Sequence, residues 1–149
     1  MAKVVGIFIA PAAGAVMRCV GNVRAEAGRG LVGDRYSDGS GSWQKGTLGK
    51  RQVTFLDAAA CTNTPYVPAD TRRNIVTEDI DLMTLIGRTY TIGTTTFRGV
   101  KYCEPCKRPG KLLRKDADFN VAFRDMGGII AEVLSSGLIS IGDEIVIHS

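Results

Sequence analysis

The sequence predicts a mainly β protein, a closed or nearly closed β-barrel with a few short helices, built as one domain over residues 1–149. About eight short segments rich in β-branched residues recur along the chain, at the spacing of all-β folds. The 18 glycines that separate them follow no fibrous period. A composition of 44% hydrophobic and 23% charged residues, with no repeat and no linker, is typical of one globular domain.

Eight segments are predicted as strands. In order they are 3–10, 16–27, 52–56, 74–77, 88–92, 94–102, 128–134 and 144–148. Apolar and polar residues partly alternate in the second segment, as in a half-buried strand. Gly93 separates the fifth from the sixth segment, which predicts a hairpin.

Aspartates mark the two clearest short helices. Asp57 predicts an N-cap for a helix over 58–61, and Asp81 predicts one for a helix over 81–87, which Gly87 ends. Residues 106–115 and 117–126 are two further helix candidates. The polar, glycine-rich stretch 37–49 is predicted to be a mobile surface loop.

The net charge of +4 suits an anionic ligand. Nucleic acid is not the expected partner, because no basic block of five or more residues occurs and aromatics make up only 7%. The start of the chain does not resemble a signal peptide, and no apolar stretch approaches the ~20 residues that span a bilayer. We therefore expect a cytoplasmic protein with reduced thiols and no membrane contact.

The single histidine, His148, excludes several catalytic and metal centres. Zinc sites with two histidines and facial iron triads are ruled out by count. A Ser-His-Asp or Cys-His triad is disfavoured, because the second-to-last residue of a chain is a poor place for a general base.

Cys103 and Cys106 form a single CxxC with three interpretations. Half of a zinc site would need a second ligand pair, which the chain does not offer. A thioredoxin-type redox pair should open a helix in a βαβ unit, whereas a hairpin strand precedes this one. The third interpretation is one reactive cysteine at a strand end, and nearby Lys107 and Arg108 favour a thiolate at Cys106. Cys19 and Cys61 fit buried structural cysteines better.

Three arginine motifs could bind an anion. Arg72-Arg73-Asn74 precedes a predicted strand, where one arginine could point into a cleft beside Asn74, or both could be solvated. Arg51 opens another predicted strand, and Arg35 lies in a glycine-rich turn. The spacing Gly28-x-Gly30-x-x-Gly33 matches a dinucleotide fingerprint, but no strand–turn–helix unit surrounds it, so we reject a Rossmann fold.

Taken in order, these pieces resemble the MOSC domain, named for the C-terminal part of molybdenum-cofactor sulfurases, and the resemblance spans nearly the whole chain. The matching residues are Val23-x-Ala25-Glu26-x-Gly28-x-Gly30-Leu31-x-Gly33-Asp34-Arg35-Tyr36, Arg51-Gln52-Val53-Thr54, Arg72-Arg73-Asn74-Ile75-Val76, Asp81-Leu82, Leu85-Ile86-Gly87, Ile92-Gly93, Cys103-Glu104-Pro105-Cys106, Gly127-Gly128 and Ile141-Gly142-Asp143. No single motif is specific, but the ordered set is.

The resemblance implies a closed β-barrel of complex topology, similar to the pyruvate-kinase barrel, that binds molybdenum cofactor or carries sulfur for metal–sulfur centres. The functional cysteine of the family matches Cys106. In the amidoxime-reducing relatives, the cysteine at this position ligates molybdenum. The residues that hold the pterin and its phosphate match Arg35, Arg72 and Asn74. Arg51 matches a family motif with a less defined role, and we group it with the cofactor-binding residues.

The resemblance also implies partners. The 149 residues match no pyridoxal-phosphate desulfurase domain, so pyridoxal phosphate would enter only through a separate cysteine desulfurase, and a molybdoenzyme is the other expected partner. They also lack the N-terminal barrel of the amidoxime reductases, which favours a minimal carrier or cofactor-binding module. The alternatives are a small molybdenum-dependent reductase of N-hydroxylated compounds, a non-catalytic cofactor-delivery module, and a basic barrel with structural cysteines.

Overall fold

The computed structural model describes residues 1–38, 51–103 and 126–148, which form eleven strands and four short 3₁₀ helices. The strands are β1 (Lys3–Ile9), β2 (Arg18–Cys19), β3 (Asn22–Glu26), β4 (Gly30–Leu31), β5 (Val53–Asp57), β6 (Ile75–Glu78), β7 (Thr89–Ile92), β8 (Thr95–Tyr102), β9 (Ile129–Ser135), β10 (Gly137–Ser140) and β11 (Ile145–Ile147). The helices are η1 (Arg35–Asp38), η2 (Ala58–Cys61), η3 (Pro68–Thr71) and η4 (Leu82–Leu85). No helix in this part of the chain is long and apolar enough to cross a membrane.

The strands form two sheets. One has eight strands in the order β11-β7-β8-β9-β5-β6-β1-β2, and the other has three in the order β10-β3-β4. Strands β5 and β6 pair in parallel, and the other pairs of neighbouring strands among the described residues are antiparallel. The mainly β class predicted from the sequence is confirmed.

The large sheet is a curled half-barrel rather than the closed barrel that we predicted, because its ladder ends at β11 and β2. The start of β1 does approach the chain that leads into β11: Val4 N–H donates to Asp143 O (2.9 Å) and Ile145 N–H donates to Ala2 O (3.0 Å). Only one isolated bridge, between Lys3 and Glu144, forms along this seam. A turn occupies the chain just before β11, so no continuous ladder develops there.

The core lies inside the curl. Phe55 of β5, Tyr90 of β7 and Phe97 of β8 pack there with ring centroids 5.4–5.9 Å apart. All three side chains are fully buried. Such aromatic pairs contribute about 0.5–1.5 kcal/mol beyond the area that they bury.

Local signals identified some elements correctly and missed others. Asp57 Oδ1 accepts from Ala59 N–H (3.0 Å), and Asp81 Oδ1 accepts from Met83 N–H (3.1 Å), so both predicted caps are confirmed. The predicted strand 16–27 is instead β2 and β3. The predictions for 106–115, 117–126 and most of 37–49 lie outside the described residues.

Gly30 explains part of the glycine-rich motif. Its φ is +129°, and a Cβ there would lie 2.5 Å from the carbonyl oxygen of Gln52. Close approach of two backbones therefore requires glycine at this position. The motif thus serves the packing of β4 onto the chain that enters β5, in keeping with the rejection of a dinucleotide fold.

Candidate functional site

A buried ion pair fixes the turn that follows β4. Asp34 Oδ1 accepts from Arg35 Nη1 (3.0 Å) and from the backbone N–H of Ala10 (3.0 Å), and Asp34 Oδ2 accepts from Tyr36 N–H (3.3 Å). The two side chains are 0% and 4% exposed. Because both carboxylate oxygens are engaged, the pair holds this turn against the end of β1 in one conformation.

The guanidinium of Arg35 contacts several protein groups at once. Nη1 also lies 3.6 Å from Met17 Sδ, while Nη2 donates to Tyr36 Oη (3.3 Å) and to the carbonyl oxygen of Arg72 (3.1 Å). The cofactor-binding role that the resemblance implies for Arg35 stays a prediction. In the structure, the Arg35 guanidinium contacts Tyr36 and the backbone of Arg72, both of which belong to the candidate site.

Arg72 has an unusual backbone. It caps η3 with φ 60° and ψ 20°, a left-handed conformation that costs a non-glycine residue about 1–2 kcal/mol. Its Nη1 donates to Ala15 O (2.7 Å), and its carbonyl accepts from Arg35. Strain of this kind persists only where surrounding contacts impose it, and it concentrates at functional sites. Arg72, half-buried, is therefore a good candidate for ligand contact.

Arg73 has a different role from its neighbour. Only 6% exposed, it donates from Nε to Gly127 O (2.7 Å) and from Nη2 to Cys103 O (3.4 Å). Cys103 and Gly127 lie on either side of residues 104–125, so Arg73 bridges the two stems of that segment. The alternative of two solvated arginines is wrong, because Arg73 is buried and its guanidinium is hydrogen-bonded to these carbonyl groups instead of water.

Asn74 is fully buried beneath the same turn. Its Oδ1 accepts from the N–H (3.0 Å) and the hydroxyl (3.1 Å) of Thr54, and its Nδ2 donates to Phe8 O (3.1 Å). These bonds join β1 and β5 at the start of β6. The cofactor-binding role predicted for Asn74 is not tested by them.

Arg51 connects the arginine cluster to a thiol. Its Nη2 donates to Cys103 Sγ (3.6 Å), and its Cζ lies 5.5 Å from the centroid of the Tyr36 ring. Burial opposes the charge of Arg51, but the ionisable groups of Tyr36 and Cys103 more than offset it, so its pKa is raised above the ordinary value. Arg51 therefore remains a cation beside a thiol that is 1% exposed.

Of the three cysteines in the described ranges, Cys103 is the one that contacts an arginine of the cluster. Cys106, predicted as catalytic residue and metal ligand, lies outside the described residues, so its role stays a prediction. Cys19 is exposed, which contradicts the expectation of a buried structural cysteine. Cys61 is half-buried, and burial together with Asp70 raises the pKa of its thiol to about 11.

A cavity of about 210 Å³ opens near the end of β8. Its lining is mostly apolar, with two carboxylates, and comprises Asp57, Ala59, Ala60, Ile80, Asp81, Leu82, Met83, Tyr102, Met126 and Gly128. No arginine is among the described residues that line it. Within the three described ranges, no group of three or more histidine, cysteine or acidic side chains could hold a metal ion.

The family model for the MOSC domain matches residues 42–146. This match covers well over half of the sequence, so the chain belongs to the MOSC domain family. No curated protein matches the sequence.

Solved structures share the fold. The YuaD protein from Bacillus subtilis is 21% identical with a TM-score of 0.83, and the alignment covers 100% of this chain and 97% of that one. YiiM from Geobacillus stearothermophilus is 14% identical with a TM-score of 0.70, covering 100% and 76%. YiiM from Escherichia coli is 16% identical with a TM-score of 0.67, covering 99% and 70%. At these identities the likeness establishes the fold alone.

Sequence motifs located the arginines but missed two features. Arg35, Arg51 and Arg72, each predicted from a local motif, are connected through Tyr36 and the Arg72 carbonyl. The bridge made by Arg73 was missed, although the alternation of side chains along a strand implied that the adjacent arginines would differ. The contact between Arg51 and Cys103 had no local signal.

Proposed function

We propose that this MOSC domain binds the phosphate-bearing pterin of molybdenum cofactor, or carries sulfur for such a centre, beside its arginine cluster. The observation that best supports this proposal is that Arg51 donates to Cys103 Sγ while its guanidinium group lies against the Tyr36 ring. Cys103 opens the CxxC that also contains Cys106, so a cation lies next to the start of this motif, which suits a ligand that combines an anion with a soft metal or sulfur.

The available residues fit such a ligand. Arg51 and Arg72, both half-buried, would neutralise the phosphate, because guanidinium groups match phosphate oxygens in charge and geometry. Asp34 and Arg35 would hold the turn behind them, and Asn74 would fix β1 to β5. When bound, the cofactor supplies a redox-active metal held by soft ligands.

Cys106 is proposed as the thiolate that ligates molybdenum or carries a persulfide sulfur. The support is its place in the CxxC three residues after Cys103, followed at once by Lys107 and Arg108. Cations next to a thiol favour the thiolate, which is the nucleophile and the metal ligand. Arg73 supports this proposal indirectly, because it bridges the two stems of the segment that contains Cys106.

The test is purification without oxygen, followed by metal analysis and intact-mass spectrometry. Wild type is compared with Cys106→Ser and with Cys19→Ser, a control at an exposed position on β2. We expect wild type and Cys19→Ser to carry molybdenum or a mass increase of one sulfur atom, and Cys106→Ser to carry neither.

The two kinds of cargo separate by which signal is found. Molybdenum together with a fluorescent oxidised pterin indicates the cofactor, whereas the sulfur adduct alone indicates sulfur carriage. A signal of equal size in wild type and Cys106→Ser would contradict the assignment of Cys106. A wild type that carries neither, even after incubation with free cofactor or a persulfide donor, would contradict the proposed function.

A further inference from the structure

The Tyr36 ring contacts two guanidinium groups. Arg35 Cζ is 4.4 Å and Arg51 Cζ is 5.5 Å from the centroid of its ring. The Tyr36 side chain is 4% exposed, so both contacts are shielded from water. Tyr36 comes from η1 and Arg51 precedes β5, so the aromatic ring joins two separate parts of the chain.

An aromatic ring can hold cations next to it. The negative face of its π system attracts a guanidinium group, most strongly where water is excluded. Two guanidinium groups near each other also repel, and the ring offsets part of that repulsion.

The Tyr36 hydroxyl and the backbone carbonyl of Arg72 share one donor. Arg35 Nη2 donates both to Tyr36 Oη (3.3 Å) and to the carbonyl oxygen of Arg72 (3.1 Å). The Tyr36 side chain also helps to raise the pKa of Arg51, through charge and hydrogen bonding. Removal of the hydroxyl would therefore change the surroundings of Arg51 and loosen the Arg35 guanidinium that holds the Arg72 carbonyl.

We propose that Tyr36 is a positioning residue of the anion site: it sets the guanidinium group of Arg51 directly and, through Arg35, holds the backbone turn that carries Arg72, so that both arginines can serve one phosphate group. This role rests on the proposed function. Tyr36 itself, buried beneath the guanidinium groups, does not contact the ligand. Its ring contacts the Arg51 guanidinium, and its hydroxyl accepts from the Arg35 Nη2 that also donates to the Arg72 backbone carbonyl.

The test measures inorganic phosphate binding to the full-length protein by isothermal titration calorimetry, well below the melting temperature of every variant. Tyr36→Phe keeps the ring and removes the hydroxyl, whereas Tyr36→Leu removes both. Tyr90→Phe is the matched control, since Tyr90 is a fully buried tyrosine in the aromatic core. We expect Kd to rise about threefold to tenfold in Tyr36→Phe and by more in Tyr36→Leu, and to stay unchanged in Tyr90→Phe.

A spectroscopic readout separates positioning from loss of stability. The Arg51 Nε–Hε resonance, assigned by its loss in Arg51→Lys, should shift in Tyr36→Leu without phosphate and stay in place in Tyr90→Phe. An unchanged resonance, or a wild-type Kd in both Tyr36 variants, would overturn the role of Tyr36 while leaving the anion site intact. If wild type and Arg72→Ala bind phosphate equally weakly, the anion site itself fails, and this role fails with it.

Discussion

The buried ion pair between Asp34 and Arg35 leads to a sharp prediction for Asp34→Asn. The substitution is nearly isosteric, but it removes the negative charge opposite a guanidinium that is 4% exposed. It also replaces one carboxylate oxygen by an NH2 group, which donates. If the NH2 takes the place of Oδ1, the Ala10 N–H and Arg35 lose their acceptor; if it takes the place of Oδ2, the Tyr36 N–H loses its acceptor. Breaking one partner of a buried pair typically costs about 3–5 kcal/mol.

The control is Glu78→Gln, which breaks the exposed pair with Lys3. That pair has an N···O distance of 3.3 Å, and its side chains are 49% and 42% exposed. Exposed pairs are worth about 0–1 kcal/mol, because water screens the charges. The two substitutions make the same carboxylate-to-amide class of change, so burial is the main difference between them.

Urea denaturation followed by circular dichroism gives the free energy of unfolding of both variants. We expect a loss of about 3–5 kcal/mol for Asp34→Asn, seen also as a fall in melting temperature of roughly 6–20 °C. Glu78→Gln should lose less than about 1 kcal/mol. Equal losses in the two variants would refute the argument that burial makes the Asp34 pair essential to the turn.

Three further predictions rest on single positions. The hydroxyl of Tyr90 is buried and has no hydrogen-bond partner among the described residues. Tyr90→Phe should therefore leave the free energy of unfolding, measured by calorimetry, unchanged or raise it by up to about 1 kcal/mol. A clear loss of stability would contradict this. Gly30→Ala should cost about 1–3 kcal/mol more than Gly28→Ala in urea denaturation, since only at Gly30 would the Cβ meet the Gln52 carbonyl, and equal costs would refute the close approach. The thiol pKa of Cys61 is raised to about 11, so Cys61 should be alkylated slowly at pH 8 and about tenfold faster with each further pH unit up to that pKa. Peptide mapping measures this rate. A rate that levels off below pH 9 would contradict the raised pKa.

The sequence predicts the fold where the signal is local. Asp57 and Asp81 have side chains that cap a helix within two residues, so their role could be inferred without tertiary structure. Strands β4 and β10 were missed because they begin at Gly30 and Gly137, residues that usually mark turns. Closure of the barrel could not be decided either, since it depends on whether two strands distant in sequence form a full ladder.

The candidate site was predictable in its residue types and not in its connections. The motifs around Arg35, Arg51 and Arg72 indicated an anion, because guanidinium groups at turns and strand starts suit that chemistry. The sequence could not indicate that Arg35 Nη2 would donate to the Arg72 carbonyl, 37 residues away. Nor could it indicate that Cys103 would lie next to Arg51, since the two are 52 residues apart.

The adjacent residues Arg72 and Arg73 divide two tasks that one arginine could not perform. Arg73 is buried and bonds to the carbonyls of Cys103 and Gly127, which anchors both stems of the segment that contains Cys106. Arg72 is half-buried and held in a left-handed conformation, with its carbonyl bonded to Arg35. An extended backbone would direct the two side chains to opposite faces with little strain. The left-handed conformation of Arg72 instead costs about 1–2 kcal/mol and sets a different relative direction for the two side chains. Arg35 thus holds the Arg72 carbonyl and Arg73 holds the carbonyls of Cys103 and Gly127, so contacts of the arginine cluster and of the chain flanking residues 104–125 meet at the start of β6.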